Sequence, residues 1–272
     1  MTTATLEPAA PARTTPPGPR PFPLVRHSLT LAGRALLKIR RTPEQLLDVT
    51  LQPIIFVIMF VYLFGGAVAG SQHAYLQFVL PAIAVQTVLF STLAIGVNLN
   101  ADIDKGVFDR FRSLPIPRSA PLVGAVFGDL VRYLMAMLVV LGFGSAIGFR
   151  IGTDPVRAVA ACALLVVFAL CLCWVFILVG LLARQASAVQ GFGFLVMFPL
   201  TFGSSMFVPV STLPGWLQAW VHVNPVTHLV EAVRGLMIGG PVAGEVAWSL
   251  GWAVLLLVVF APLAVRAYRR RT

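Results

Sequence analysis

The sequence predicts an all-α polytopic membrane protein, and three observations carry that prediction. The 272 residues are 58% hydrophobic and 11% charged, with a mean hydropathy of +0.89; a soluble domain is roughly half apolar and about a quarter charged. From Val49 to Ala101 no Asp, Glu, Lys or Arg occurs. The apolar runs are long and continuous, and in lipid such runs satisfy their backbone amides only as helices.

Residues 1–23, MTTATLEPAAPARTTPPGPRPFP, are rich in Pro, Ala and Thr and hold no apolar core, so they read as a disordered arm. In residues 24–41, Val25, Leu29, Ala32, Leu36 and Ile39 form one helical stripe, and Arg26, Thr30, Arg34, Lys38 and Arg41 the opposite one. That pattern is a basic amphipathic helix lying in the membrane interface, an elbow before the first span. Thr42-Pro43-Glu44 then supplies an N-cap, an N1 proline and a first-turn acid. A span takes roughly 20 apolar residues, which places six, at about 49–69, 76–98, 121–149, 157–183, 186–209 and 246–265. Pro199 should kink the fifth.

Six spans return both termini to one side, and the basic residues say which. Arm, elbow, the 99–120 loop, Arg184 and the tail RAYRRR hold most of the cations, while Arg150, Arg157 and Arg234 stand on the other side. Positive charge stays inside, so both termini are expected in the cytoplasm. The formal charge of +10 has no aromatic reading surface beside it, which argues for anionic lipid rather than nucleic acid. Cys162, Cys171 and Cys173 lie in one apolar run with a spacing unsuited to zinc, and read as packing.

The stretch DKGVFDRFRSLPIPR is the one strongly charged segment between spans. Ile103, Val107, Phe111 and Leu114, with Phe108 beside them, recur on one helical face; Asp102, Lys105, Asp109 and Arg112 recur on another. A short helix over 102–114, ended by Pro115 and Pro117, follows. Its mixed charges suit a docking peg for a soluble partner better than lipid, and a solvated helix folded back on the bundle is the plainer alternative. Arg118 and the pair Asp129/Arg132 are expected as anchors of the third span at the interface.

The path for a cargo is expected to be apolar, because no span shows a buried ion pair or a string of acids. Phe56, Phe60, Phe90, Phe194, Phe198, Phe202 and Met206 are the candidates; the plain alternative is that each faces lipid or a neighbouring helix. Gly203, Ser204 and Ser205 would let two protomers approach closely or merely relieve packing. On the other side of the membrane from the termini, Asn224 caps and Pro225 opens a short helix on which His228, Glu231 and Arg234 recur every three residues. A metal there lacks a third ligand, so a Glu231–Arg234 ion pair forming part of an outer gate is expected, with no metal site.

Three stretches carry a family resemblance. DIDKGVFDRFRSLPIPRSAPLVGAVFGDLVR resembles the loop signature of the ABC-2 type permeases. SSMFVPVSTLPGWLQAWVHVNPVTHLVEAVRGLMIGG resembles that family's fifth-span exit, outer short helices and N-P-x-x-x-x-x-E-x-x-R element, and RRTPEQLLDVTLQPI its elbow-to-span junction. The likeness spans about residues 25–268 and lies nearest the daunorubicin-resistance type permeases of actinobacterial exporters. It implies a half-transporter in a bacterial cell membrane: two copies of this chain with two copies of a separate ATP-binding cassette ATPase, which would hold the ATP and magnesium. This chain would bind no cofactor. It also implies that the 102–114 loop is the coupling helix, with Asp102, Lys105, Phe108, Asp109, Arg110, Phe111, Arg112, Pro115 and Arg118 facing the ATPase. The family commonly has Glu and Arg where this chain has Asp102, Asp104 and Lys105, a change that keeps charge and bears on partner choice. The absence of G-x-x-x-x-G-K-[ST] agrees with an energy source on another chain. The implied cargo is an amphipathic drug, antibiotic or lipid. A polysaccharide or glycolipid exporter of the same family, or an ion-coupled secondary transporter, stays open as an alternative.

Overall fold

The computed structural model describes residues 43–106 and 120–271. The arm 1–23, the elbow 24–41 with Arg34, Lys38 and Arg41, and the loop residues Phe108, Asp109, Arg110, Phe111, Arg112, Pro115 and Arg118 lie outside the described residues.

Among the described residues every regular element is helical. The order is α1 (Pro43–Ala69), α2 (Gln72–Ser91), α3 (Leu93–Asp104), α4 (Ala120–Ala146), α5 (Pro155–Leu182), α6 (Ala186–Phe202), α7 (Gly215–Val223), α8 (Pro225–Ile238) and α9 (Ala243–Arg271), with a 3-10 turn at Val210–Thr212. Pro43 opens α1 as expected, because its missing N–H costs nothing in a first turn. α1 ends where Gly70 takes a φ of 70°, and Ser71 caps α2 by accepting from the Ala74 N–H at 3.2 Å. α2 and α3 form one rod across Thr92, whose backbone angles stay helical while its N–H reaches back to Leu89 O. One tightened turn of 3-10 character thus sits inside the longest apolar helix.

Five helices are long and apolar enough to cross a membrane, Gln72–Asp104 being the longest at 33 residues. The expected fifth span, 186–209, is shorter than predicted: α6 has 17 residues and stops at Phe202. Pro199 removes one backbone donor, and the Asn224 side chain donates to Leu200 O at 2.8 Å and Gly203 O at 2.9 Å. The last carbonyls of α6 are therefore satisfied by a side chain instead of by another helical turn. The expected helix over 102–114 is also corrected at its start. Asp102, Ile103 and Asp104 finish α3, and Lys105 and Gly106 turn, Gly106 with a φ of 66°. A positive φ interrupts the stripe that ran from Ile103 to Val107.

Chain turns gather at two ends. At the upper end Gln77 Nε2 donates to Gly148 O, and Thr153 Oγ1 donates to Leu236 O at 2.6 Å, which joins the α4–α5 loop to α8. At the lower end Asn100 Nδ2 donates to Gly180 O and Ala183 O, joining α3 to the end of α5. Gly96 and Gly180 let those two helices touch backbone to backbone: a Cβ on Gly180 would meet Gly96 O, and one on Gly96 would meet Phe176 O. α2 is the centre of the core, buried from Tyr75 to Leu89 on most of its faces, whereas α9 shows lipid-suited side chains such as Val254, Leu255 and Val258 to the outside. Cys171 and Cys173 are buried and Cys162 half-buried, all free thiols in α5, as the packing reading expects.

Candidate functional site

The upper end is built around Arg234. Its helix α8 starts at Asn224, whose Oδ1 accepts from Val226 N–H at 2.9 Å, with Pro225 at N1. Nine of its residues are buried, so it packs into the bundle rather than lying on it. The Arg234 guanidinium donates to Glu231 Oε1 at 2.7 Å, Phe78 O at 3.1 Å and Ser205 O at 3.0 Å, and lies 3.8 Å over the Phe78 ring. Burial pulls its pKa down, and the Glu231 carboxylate pushes it back up. The expected Glu231–Arg234 pair is therefore present, and the arginine also ties α8 to α2 and to the turn after α6.

His228 does not join that pair. Its Nδ1 lies 2.7 Å from Glu245 Oε2 and its Nε2 3.0 Å from His222 O, with the ring stacked on Trp248. This fixes α8 to α7 and to the start of α9. No group of three potential metal ligands occurs among the described residues. Ser204 and Ser205 are buried within the chain, and a Cβ on Gly203 would strike the Trp220 indole. The three small residues relieve packing inside one protomer.

Below this packed end lies a cavity of about 360 Å³ between α1, α2, α3, α4 and α6. Phe56, Phe90, Phe194, Phe198 and Phe202, five of the seven expected path residues, line it. The local sequence explains this: Phe194, Phe198 and Phe202 recur every four residues and so share one face of α6. Phe198 stacks on Phe202 with ring centres 4.3 Å apart, and Phe90 meets Phe194 at 5.7 Å. The other two lie elsewhere. Phe60 stacks on Phe207 at 4.3 Å in the core, and Met206 is fully buried.

The cavity wall is mainly apolar, with polar side chains among the phenylalanines. Gln52, Gln86, Thr87, Ser91, Asn98 and Gln190 share the cavity wall with the phenylalanines, and so does Arg132. Arg132 and Asp129 lie about three turns into α4, 3.6 Å apart and both buried. Both side chains are buried in the bundle, where they pair with each other. Thr92 and Pro81 interrupt the pattern of α2 and α3, and the helix period turns Gln86, Phe90 and Ala94 toward one side. The polar wall had a legible signal: an amide in an otherwise apolar span is costly unless it meets a partner or a cavity.

Asp102 and Lys105, the described members of the expected coupling set, lie at the lower end beyond the cavity's polar side. Asn224, His228, Glu231 and Arg234 are gathered at the opposite end.

Comparison with known proteins shows the family. The family model for the ABC-2 type transporter matches residues 27–238. The daunorubicin resistance ABC transporter permease protein DrrB1 of Streptomyces coeruleorubidus is 42% identical over 91% of this chain and 87% of its own. The probable doxorubicin resistance ABC transporter permease protein DrrC of Mycobacterium tuberculosis is 27% identical over 90% and 89%. The putative transport permease ycf38 of Cyanophora paradoxa is 26% identical over 79% and 75%. A match over most of the chain, joined to a bundle of long apolar helices, makes this a multi-pass membrane protein that belongs to the ABC-2 type transporter family.

Proposed function

We propose that this chain is the permease of an ATP-driven exporter that moves amphipathic drugs, antibiotics or lipids out of a bacterial cell. The observation that carries the reading is the cavity with five phenylalanines on its wall. Flat aromatic faces favour flat apolar cargo, and the amides beside them satisfy a polar edge. The glycan alternative has less support, since none of the five tryptophans lines the cavity and Trp216, Trp220 and Trp248 are exposed at the upper end.

In this reading two copies of the chain pair with two copies of a separate ATPase, which holds ATP and magnesium. The basic lower end is cytoplasmic by the distribution of Lys and Arg. The ATPase seats Phe108 and Phe111, with Asp102, Lys105, Asp109, Arg110, Arg112, Pro115 and Arg118 around them. Arg34, Lys38 and Arg41 hold the elbow on anionic lipid. ATP drives the cavity outward only as far as the ATPase binds its two states unequally, and the cluster of Asn224, His228, Glu231 and Arg234 forms the outer gate.

The test is co-expression with the neighbouring ATPase, purification of the complex and measurement of ATP hydrolysis in liposomes with anthracycline-like amphiphiles. Hydrolysis should rise with amphiphile. Phe108→Ala with Phe111→Ala should leave membrane insertion intact and abolish the stimulation. Normal stimulation in that variant sinks the coupling role; failure of any ATPase to co-purify sinks the exporter reading.

A further inference from the structure

We infer that Gln86 sets the specificity of the cavity by accepting a hydrogen bond from a hydroxyl or amine at the edge of a flat aromatic cargo. The inference rests on the reading of this cavity as the cargo site and adds the group that the site recognises. Gln86 stands near the middle of the 33-residue rod Gln72–Asp104, the most deeply packed of the long apolar helices. It is 6% exposed, and among the described residues its carboxamide has no hydrogen-bond partner. Its oxygen and nitrogen are not sealed in the core, because both remain reachable and the residue lies on the cavity wall. Water fills the partner's role while the cavity is wet. Once a cargo displaces that water, the amide either pairs with the cargo or stays unpaired at a cost, and this makes it discriminating.

Burial separates Gln86 from the other amides of the wall. Gln52 and Gln190 are exposed and Asn98 is half-buried, so they keep access to water beside a bound molecule. Thr87 and Ser91, on the same stretch of α2, donate their hydroxyl protons to Ile83 O at 2.7 Å and Thr87 O at 2.8 Å. They keep only oxygen lone pairs for a ligand. This part of the wall therefore offers mainly acceptors. Phe90, about one turn on from Gln86, meets Phe194 with ring centres 5.7 Å apart, which supplies apolar surface next to the amide. The ligand class is a flat aromatic molecule with a hydroxyl or amine donor at one edge.

The test uses the full chain in nanodiscs of zwitterionic phosphatidylcholine and two neutral probes that differ by a hydroxyl, 2-(hydroxymethyl)anthraquinone and 2-methylanthraquinone, read by equilibrium dialysis against empty nanodiscs. The hydroxymethyl probe should bind about tenfold tighter. Gln86→Met keeps the length and removes the hydrogen bond. It should erase that ratio by weakening the hydroxymethyl probe alone, with a Tm in the absence of probe no lower than that of the unaltered chain. Equal binding of the two probes to the unaltered chain, or an unchanged ratio in Gln86→Met, overturns the inference. So does a variant that melts far lower or does not fold, because the amide is then a structural partner within the bundle. Phe194→Ala should weaken both probes together and preserve their ratio. If it weakens neither, binding is elsewhere, and what has failed is the cavity as cargo site.

Discussion

Two buried arginines divide this protein. Arg234 is enclosed on all sides by groups that match it: a carboxylate, three backbone carbonyls within 3.4 Å and an aromatic face. Arg132 has Asp129 beside it and a 360 Å³ cavity before it. A buried charge must be matched or it is very costly. At the upper end the match ties three separate elements together, which rigidifies it; at the cavity the match comes from Asp129 on the same helix, one turn away. The same residue type thus joins elements in one place and stands on a cavity wall in the other.

The largest test of that division is Arg234→Met. It strands the Glu231 carboxylate and the carbonyls of Phe78 and Ser205, and should cost about 3 kcal/mol or more, read as a large fall in Tm in detergent. A Tm within a degree or two of the unaltered protein would dissolve the contrast. Next comes Gly96→Val at the α3–α5 contact. The added carbons meet the Phe176 backbone, which cannot swing aside, so about 2 kcal/mol should be lost; Gly191→Ala, with nothing within 4 Å of its Cβ, should be neutral or gain up to about 1 kcal/mol. Asn224→Ala removes a cap and two carbonyl partners at once and should cost about 1–2 kcal/mol, seen in the denaturant midpoint. Phe194→Ala on the open wall should change stability least, by about 1 kcal/mol or less, while lowering the affinity for a flat aromatic probe about tenfold. If its stability cost exceeded that of Asn224→Ala, the cavity wall would be part of the packed core after all.

Much of this could be read in the chain beforehand. Charge-free runs gave the helices, because apolar length is a nearly sufficient signal in lipid, and Asn224-Pro225 marked the start of α8 to the residue. The Glu231–Arg234 pair followed from a spacing of three. Partners far apart in sequence were not legible. Nothing near Arg234 announces Phe78 or Ser205, and nothing near Asn224 announces Leu200. The end of α6 was misplaced for that reason: hydropathy continues to Val208 and beyond, but the helix stops where a distant amide takes its carbonyls. Phe60 and Phe194 look alike as letters, and only packing sends one into the core and the other to the cavity. The polar wall was missed because the path was judged from ionisable residues alone, and uncharged amides such as Gln86 and Gln190 leave no mark in a charge count.

The long rod made by α2 and α3 has a mechanical consequence. At 1.5 Å per residue it is about 50 Å long, against a hydrocarbon core of about 30 Å, so a good part of it must tilt or stand in water. Thr92 divides it, placing the cavity residues Phe90 and Ala94 at the fulcrum and a lever arm of about 18 Å below. A tilt of about 10° there moves the Asp104 tip by about 3 Å, and because Asn100 grips the carbonyls of Gly180 and Ala183, the foot of α5 is dragged with it. Such a tilt would therefore change the angle of the cavity wall and the position of the foot of α5 together.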